Sequence, residues 1–130
     1  MPLKFHPRAG TMLVADFRGF EPPEICKKRP VIVVSPRLPN RGDLVAVVPT
    51  STTAPRKEMP YHVRLGRNYA PWDAGDGPVW AKCDLLMNIG LHRLDGFKVG
   101  RRTWETPQVS DDDLERVRAG VLVALGFDGH

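Results

Sequence analysis

Arg29-Pro30-Val31-Ile32-Val33-Val34-Ser35 is the stretch on which the fold turns. Four apolar β-branched residues in succession leave no polar face, and such a run is a strand covered on both sides. Pro30 stands just before it, where a strand tolerates a missing donor. Pro36, Pro39, Asn40 and Gly42 then supply turn chemistry. Beyond the turn Leu44-Val45-Ala46-Val47-Val48, closed by Pro49, reads as a further strand. The core is therefore expected to be built of β-strands.

Outward from this pair, residues 11–17 read as a first strand, preceded by a loose arm over 1–9 and followed by a loop over 18–28 with Gly19, Pro22 and Pro23 as breakers. After Pro49 comes a polar run, Thr50-Ser51-Thr52-Thr53. Tyr61-His62-Val63-Arg64-Leu65 alternates, as a half-buried strand does. Residues 66–77 predict a long loop, 78–83 a fifth strand and 97–104 one more short strand; 84–94 is ambiguous. The last element is a helix. Ser110 is its N-cap, with Asp113 three residues on, near the capping-box pattern. Asp111, Asp112, Asp113 and Glu115 complement the helix dipole. Leu114, Val117, Val121, Leu122 and Leu125 share one face, and Gly126 ends it. Five or six short strands and a terminal helix predict a mainly β architecture with α: a small β-barrel with a C-terminal helix, one domain over residues 1–130.

Composition agrees. The 130 residues suit one core without a disulfide or metal staple, and 42% hydrophobic with 26% charged residues is ordinary globular chemistry. Thirteen prolines favour short strands and turns over helices. Cys26 and Cys83 stand far apart and form no CxxC pair, which fits a reducing cytoplasm and predicts no metal site. The first ten residues lack the apolar segment of a signal peptide, and no run has membrane-spanning length, so a cytoplasmic protein without a membrane partner is expected. A formal charge of +4 suits a polyanionic partner.

No phosphate loop, HExxH, GxSxG or dinucleotide fingerprint is present, so any chemistry must come from polar residues on strand ends and loops. Four groups stand out: Glu24 with Lys27-Lys28-Arg29-Pro30, Ser51-Thr52-Thr53, Lys82-Cys83-Asp84, and His62. Each has a plain alternative. Arg29 can pair with Glu24 as a surface salt bridge, Ser51 to Thr53 can be a turn, Asp84 can cap a turn, and His62 can be a strand surface residue.

Taken jointly, Gly10-x5-Asp16-Phe17, Glu24, Arg29-Pro30-Val-Ile-Val-Val-Ser35 and Val47-Val-Pro-Thr-Ser-Thr-Thr53 resemble the MazF/PemK toxins of type II toxin–antitoxin modules. Lys82-Cys83-Asp84 is similar to the basic-Cys-Asp step of PemK-like members, and His92-Arg93-Leu94 to the Arg-Leu closing their core motif. The resemblance spans most of residues 10–95. It implies the SH3-like barrel of the CcdB/MazF fold, usually a homodimer, with an antitoxin protein as partner. It implies a metal-independent, sequence-selective endoribonuclease of single-stranded RNA, needing no cofactor. By position Arg29 matches the catalytic arginine, Glu24 the loop glutamate, Ser51 or Thr52 the hydroxyl after Val-Pro, and Lys82 and Asp84 a basic–acidic pair. Lys28, Thr53 and His62 join Lys82 as substrate-binding candidates. Pro23 stands where some members carry a catalytic histidine, and the 66–77 loop is longer than in the shortest members. A CcdB-like gyrase inhibitor and a module that only binds nucleic acid or antitoxin are the alternatives.

The chemistry fits those residue types. Metal-free RNA cleavage uses the ribose 2′-OH against its own phosphate, with a base, an acid and positive charge at the phosphorane oxygens. Arginine offers a permanent charge and a fixed fork of donors. Glu24 or Asp84 suits proton transfer, and Trp72, Trp80 and Tyr69 are candidates to stack unpaired bases, with Trp80 placed within a strand and so favoured for the core.

Overall fold

The computed structural model describes residues 3, 5–40, 42–72 and 77–127. The two apolar runs become the centre of the sheet. Strand β2 (Arg29–Val33) lies between β1 (Met12–Ala15) and β3 (Leu44–Ser51), antiparallel to both. Both faces of these strands are covered, which is why the sequence shows no polar alternation there. One face carries Met12, Val14, Ile32 and Val48; the other carries Leu13, Ala15, Val31, Val33, Val45 and Val47.

Strand β4 (His62–Arg64) pairs β5 (Trp80–Lys82), and β5 pairs the end of β3. A 3-10 turn, Cys83–Leu85, then leads to β6 (Met87–Gly90), which pairs the start of β3. Thr50 faces Ala81 while Val47 faces Met87, so three steps on β3 meet six opposite. The surplus is the length of the turn. This accounts for the ambiguity of residues 84–94: strand, turn, strand and a second 3-10 turn (Leu91–Arg93) follow too closely for one periodicity. Strand β7 (Leu94–Asp95) returns to β1. The order β7-β1-β2-β3-β6 is thus brought round on itself by the Leu91–Arg93 turn, and it encloses the second cluster, which Phe17, Ile89 and Leu94 complete. This is the expected small barrel.

Several boundaries differ from expectation. The first strand is shorter than 11–17. Arg29 and Pro30 lie inside β2, and β3 runs on through Thr50 and Ser51, so these hydroxyl residues are strand and not turn. Residues 97–104 hold a hairpin, β8 (Phe97–Gly100) and β9 (Thr103–Glu105). Part of the 66–77 loop, 73–76, lies outside the described residues.

Helix α1 (Asp111–Ala124) begins as predicted, Ser110 Oγ accepting from the Asp113 amide at 3.1 Å. Val117 is buried, and Leu114 and Val121 pack on the first cluster. Gly120 allows the helix to sit close: a Cβ there would lie 2.7 Å from Cys83 Sγ and 2.8 Å from Val63 Cγ2. Gly126 has φ +89°, and the Gly126 and Phe127 amides donate to the carbonyls of Val123 and Leu122, the paired bonds of a Schellman stop. Leu125, expected on the apolar face, is 60% exposed because it is the cap residue, past the last helical turn. No helix among the described residues is long and apolar enough to cross a membrane.

Candidate active site

Pro30 removes one donor from the ladder between β2 and β3. The Thr50 hydroxyl adds a side-chain bond between the same two strands, donating to the Pro30 carbonyl at 3.1 Å. The register that sets Val31 opposite Pro49, carried two residues on, sets Arg29 opposite Ser51. Strand pairing alone therefore brings the arginine to the hydroxyl residues.

Two grooves meet at Arg29. One, of about 230 Å³, is lined by Arg29, Pro30, Thr50, Ser51 and Thr52 together with Asn68, Ala70 and Trp72. The other, of about 70 Å³, is lined by Arg29, Thr50, Ser51 and Lys82 over Ile25, Pro49 and Leu85. Arg29 is exposed and, among the described residues, has no ion-pair partner. The plain reading, a surface salt bridge to Glu24, does not hold. Glu24 Oε1 instead accepts from the Glu21 amide at 3.2 Å, within the turn that carries Pro22 and Pro23.

The remaining candidates separate. Glu24 and Asp84 are exposed and line neither groove. Thr53 is exposed, its amide donating to Ser51 Oγ at 3.1 Å. His62 faces Lys82 across β4 and β5, but its Nδ1 accepts from the Met59 amide and its ring meets Tyr61 edge-on. Lys28 lines a different cleft, of about 410 Å³, whose walls include Asp16, Arg18, His92, Lys98, Trp72 and Trp104. Of the three aromatic residues named for stacking, Tyr69 and Trp80 are buried: Tyr69 donates to Asp113 at 2.7 Å and Trp80 Nε1 to Glu58 at 3.1 Å. Only Trp72, 55% exposed, keeps an open ring.

Asp16 and Arg18 form a two-pronged pair, with Arg18 Nη2 2.7 Å from Oδ2. The Arg18 hydrogen bonds hold the Asp16 carboxyl below its usual range. Arg93 secures this loop from the other side: Nη1 donates to the carbonyls of Asp16 and Arg18, and its guanidinium stands 4.6 Å from the Phe20 ring centre. Cys83 is no nucleophile. Burial first, and the Asp84 charge second, push its thiol up to about 12.

Asn68 and Ala70, which wall the groove, escaped the sequence reading. They sit in a loop whose composition marks only irregular backbone. Their position follows from a buried anchor: Asp113 accepts from the Gly66 amide at 2.9 Å and from Tyr69 Oη, so the first residues of the loop, 66–69, are fastened to the start of α1.

The architecture is that of solved MazF proteins. MazF of Deinococcus radiodurans (form I) superposes with a TM-score of 0.64 at 22% identity, over 95% of this chain and 99% of that one. An endoribonuclease from a mycobacterial species, solved with its cognate antitoxin, gives 0.63 at 21% identity over 95% and 99%. Residues 8–125 match the model of the family described as the PemK-like, MazF-like toxin of type II toxin–antitoxin systems, and the chain belongs to that family. The uncharacterized protein YifN of Escherichia coli K12 is 26% identical over 121 residues, 78% of this chain and 80% of that protein.

Proposed function

We propose that the chain is the toxin of a type II toxin–antitoxin module, a metal-independent endoribonuclease cutting single-stranded RNA at selected sequences, with an antitoxin protein and a second copy of the chain as partners. The observation that carries the reading is Arg29, exposed and without an ion-pair partner among the described residues, at the junction of two grooves lined between them by Thr50, Ser51, Thr52 and Lys82. In the proposed reaction the ribose 2′-oxygen bonds to phosphorus, the bond to the 5′-oxygen breaks, and a 2′,3′-cyclic phosphate and a 5′-OH result. Arg29 meets the charge growing on the phosphorane oxygens, and Ser51 or Thr52 donates to one of them. Lys82 holds a neighbouring phosphate. Glu24 or Asp84 takes the 2′-OH proton on approach of the RNA, and the leaving 5′-oxygen takes a proton from water.

Removing one donor of this kind costs about 3 kcal/mol, or roughly a hundredfold in rate. Arg29→Ala is therefore expected to lose RNA cleavage by that factor or more with the fold intact by circular dichroism. Arg29→Lys, which keeps charge but not the fork, should recover only a part. Undiminished cleavage by Arg29→Ala, in purified form with EDTA present, would sink the proposal.

One observation favours a second reading, a module that binds RNA or antitoxin without turnover: neither groove is lined by a carboxylate or an imidazole among the described residues. Saturable RNA binding with no cut ends at high protein concentration supports that reading. Inhibition of gyrase in place of RNA cleavage supports a CcdB-like action.

A further inference from the structure

We propose that the 410 Å³ cleft beside the Arg29 groove holds an unpaired RNA base next to the cleaved nucleotide. This deepens, and rests on, the reading of the Arg29 groove as an RNA-cutting site. The two spaces share a wall, since Trp72 lines both. They also share a stretch of backbone. Lys28 and Arg29 are consecutive, and at the start of a strand consecutive side chains diverge; Lys28 lines the large cleft and Arg29 the two grooves. A phosphodiester chain crossing this ridge meets one cation on each side.

The large cleft also has what a base requires. The Trp72 indole N–H donates to the Lys98 carbonyl, and its ring meets Phe97 edge-on at 5.0 Å, so its orientation is set by β8. It is nevertheless 55% exposed, a positioned and uncovered π-face. Trp104, opposite Lys98 in the hairpin, lines the same cleft with the Lys98 ammonium 5.8 Å from its ring centre. Aromatic faces with interleaved lysines are the chemistry that single-stranded nucleic acid recognises. An acidic protein segment would meet the same cations, Arg18, Lys28, Arg93 and Lys98, but would leave the two indole faces unused, and it is these faces that favour a base.

The test uses the full chain carrying Arg29→Ala, so that RNA stays whole, and fluorescence anisotropy with a labelled single-stranded RNA of about ten nucleotides, a length within the site sizes such grooves cover. Adding Trp72→Leu should weaken binding roughly tenfold, the loss of one stacked base, whereas Trp72→Phe should retain most of it. Lys98→Gln should lower the salt dependence by about one ion. Equal affinity with and without the Trp72 indole overturns the inference. So does equal loss in the Leu and Phe variants, which marks a structural role, and so does absence of RNA binding. A polyglutamate peptide that competes only when Trp72 is present, while RNA binding ignores Trp72, assigns the cleft to a protein partner and overturns it as well. Cleavage by the chain with Arg29 in place is scored separately. Intact cleavage with no Trp72 effect removes this inference alone; Trp72-dependent binding by a chain that never cuts removes the cleavage reading alone.

Discussion

Asp113→Ala should be the most damaging single truncation near the groove. Asp113 is 2% exposed and accepts from the Gly66 amide at 2.9 Å, Tyr69 Oη at 2.7 Å and Arg116 Nη1 at 3.1 Å. In an ordinary capping box an acid at this position would reach back to the Ser110 amide. Here the Tyr69 hydroxyl is inserted: the Ser110 amide donates to Tyr69 Oη at 3.1 Å, and Tyr69 donates to Asp113. Alanine leaves the Gly66 amide and the Tyr69 hydroxyl without an acceptor, at about 1–3 kcal/mol each. The Arg116 side chain, 45% exposed, returns to water and adds little. The expected loss is about 3–4 kcal/mol, a large part of the roughly 5–15 kcal/mol that holds a domain together. Urea unfolding measures it. Asp113→Asn keeps one acceptor and should cost about half as much; Tyr69→Phe should cost about 1–2 kcal/mol. Because the two residues share a bond, the double variant should fall short of additivity by about 1 kcal/mol. The Gly66 amide should exchange faster in Asp113→Ala, since its acceptor is gone. A cost below about 1 kcal/mol, or strict additivity with Tyr69→Phe, refutes the anchor and with it the account of how Asn68 and Ala70 are held at the groove.

Gly120→Ala should destabilise by about 1–2 kcal/mol in the same assay although alanine favours helix, because its Cβ would meet Cys83 Sγ at 2.7 Å. Cys83, pushed up to about 12 from 9.0, remains a thiol in the fold while an unfolded chain ionises it; the native state then holds more protons, so its contribution is full below about pH 9 and lost as pH rises toward about 12. Stability in that window should fall less steeply in Cys83→Ala, and iodoacetamide near neutral pH should label Cys26 and spare Cys83 until the chain is unfolded. In RNA cleavage assays Glu24→Gln should cost about 10²-fold or more if Glu24 is the base, whereas an unchanged rate would move that role to Asp84 or another group.

The parts of the fold that were legible are those where one local cause decides. A β-branched run with no polar face has few options but a doubly covered strand, so β2 and β3 emerged directly. Ser110 and Gly126 mark the helix ends through side-chain and backbone chemistry of their own. The β8–β9 hairpin did not emerge, because its turn places Arg102 at φ +57°, and arginine carries no signal for that conformation. The surplus turn Cys83–Leu85 is imposed by pairing with β3 and by α1 above it, neither of which is local. Arg29 and the hydroxyls were singled out through the resemblance, and register is what brings them to one groove. Trp80 was assigned to the core by its place in a strand and is buried there, whereas Tyr69 was not separable from Trp72, since its burial depends on Asp113, distant in sequence.

The grooves also separate two contributions to the proposed reaction. Arg29, Lys82 and the hydroxyls are fixed by strand pairing and offer electrostatic stabilisation, worth about 10²–10³-fold for one donor. Proton transfer, worth about 10²–10⁴-fold, needs a base within about 3.2 Å of the 2′-OH. Glu24 is the carboxylate nearest to Arg29 in sequence, directly after the Pro22–Pro23 pair, and an exposed hydrogen bond from the Glu21 amide holds it within that turn. Such a bond contributes about 0.5–1.5 kcal/mol, less than proton transfer returns in the transition state. A base carried on the 18–28 loop can therefore be recruited by bound RNA, whereas the arginine has to be in place beforehand.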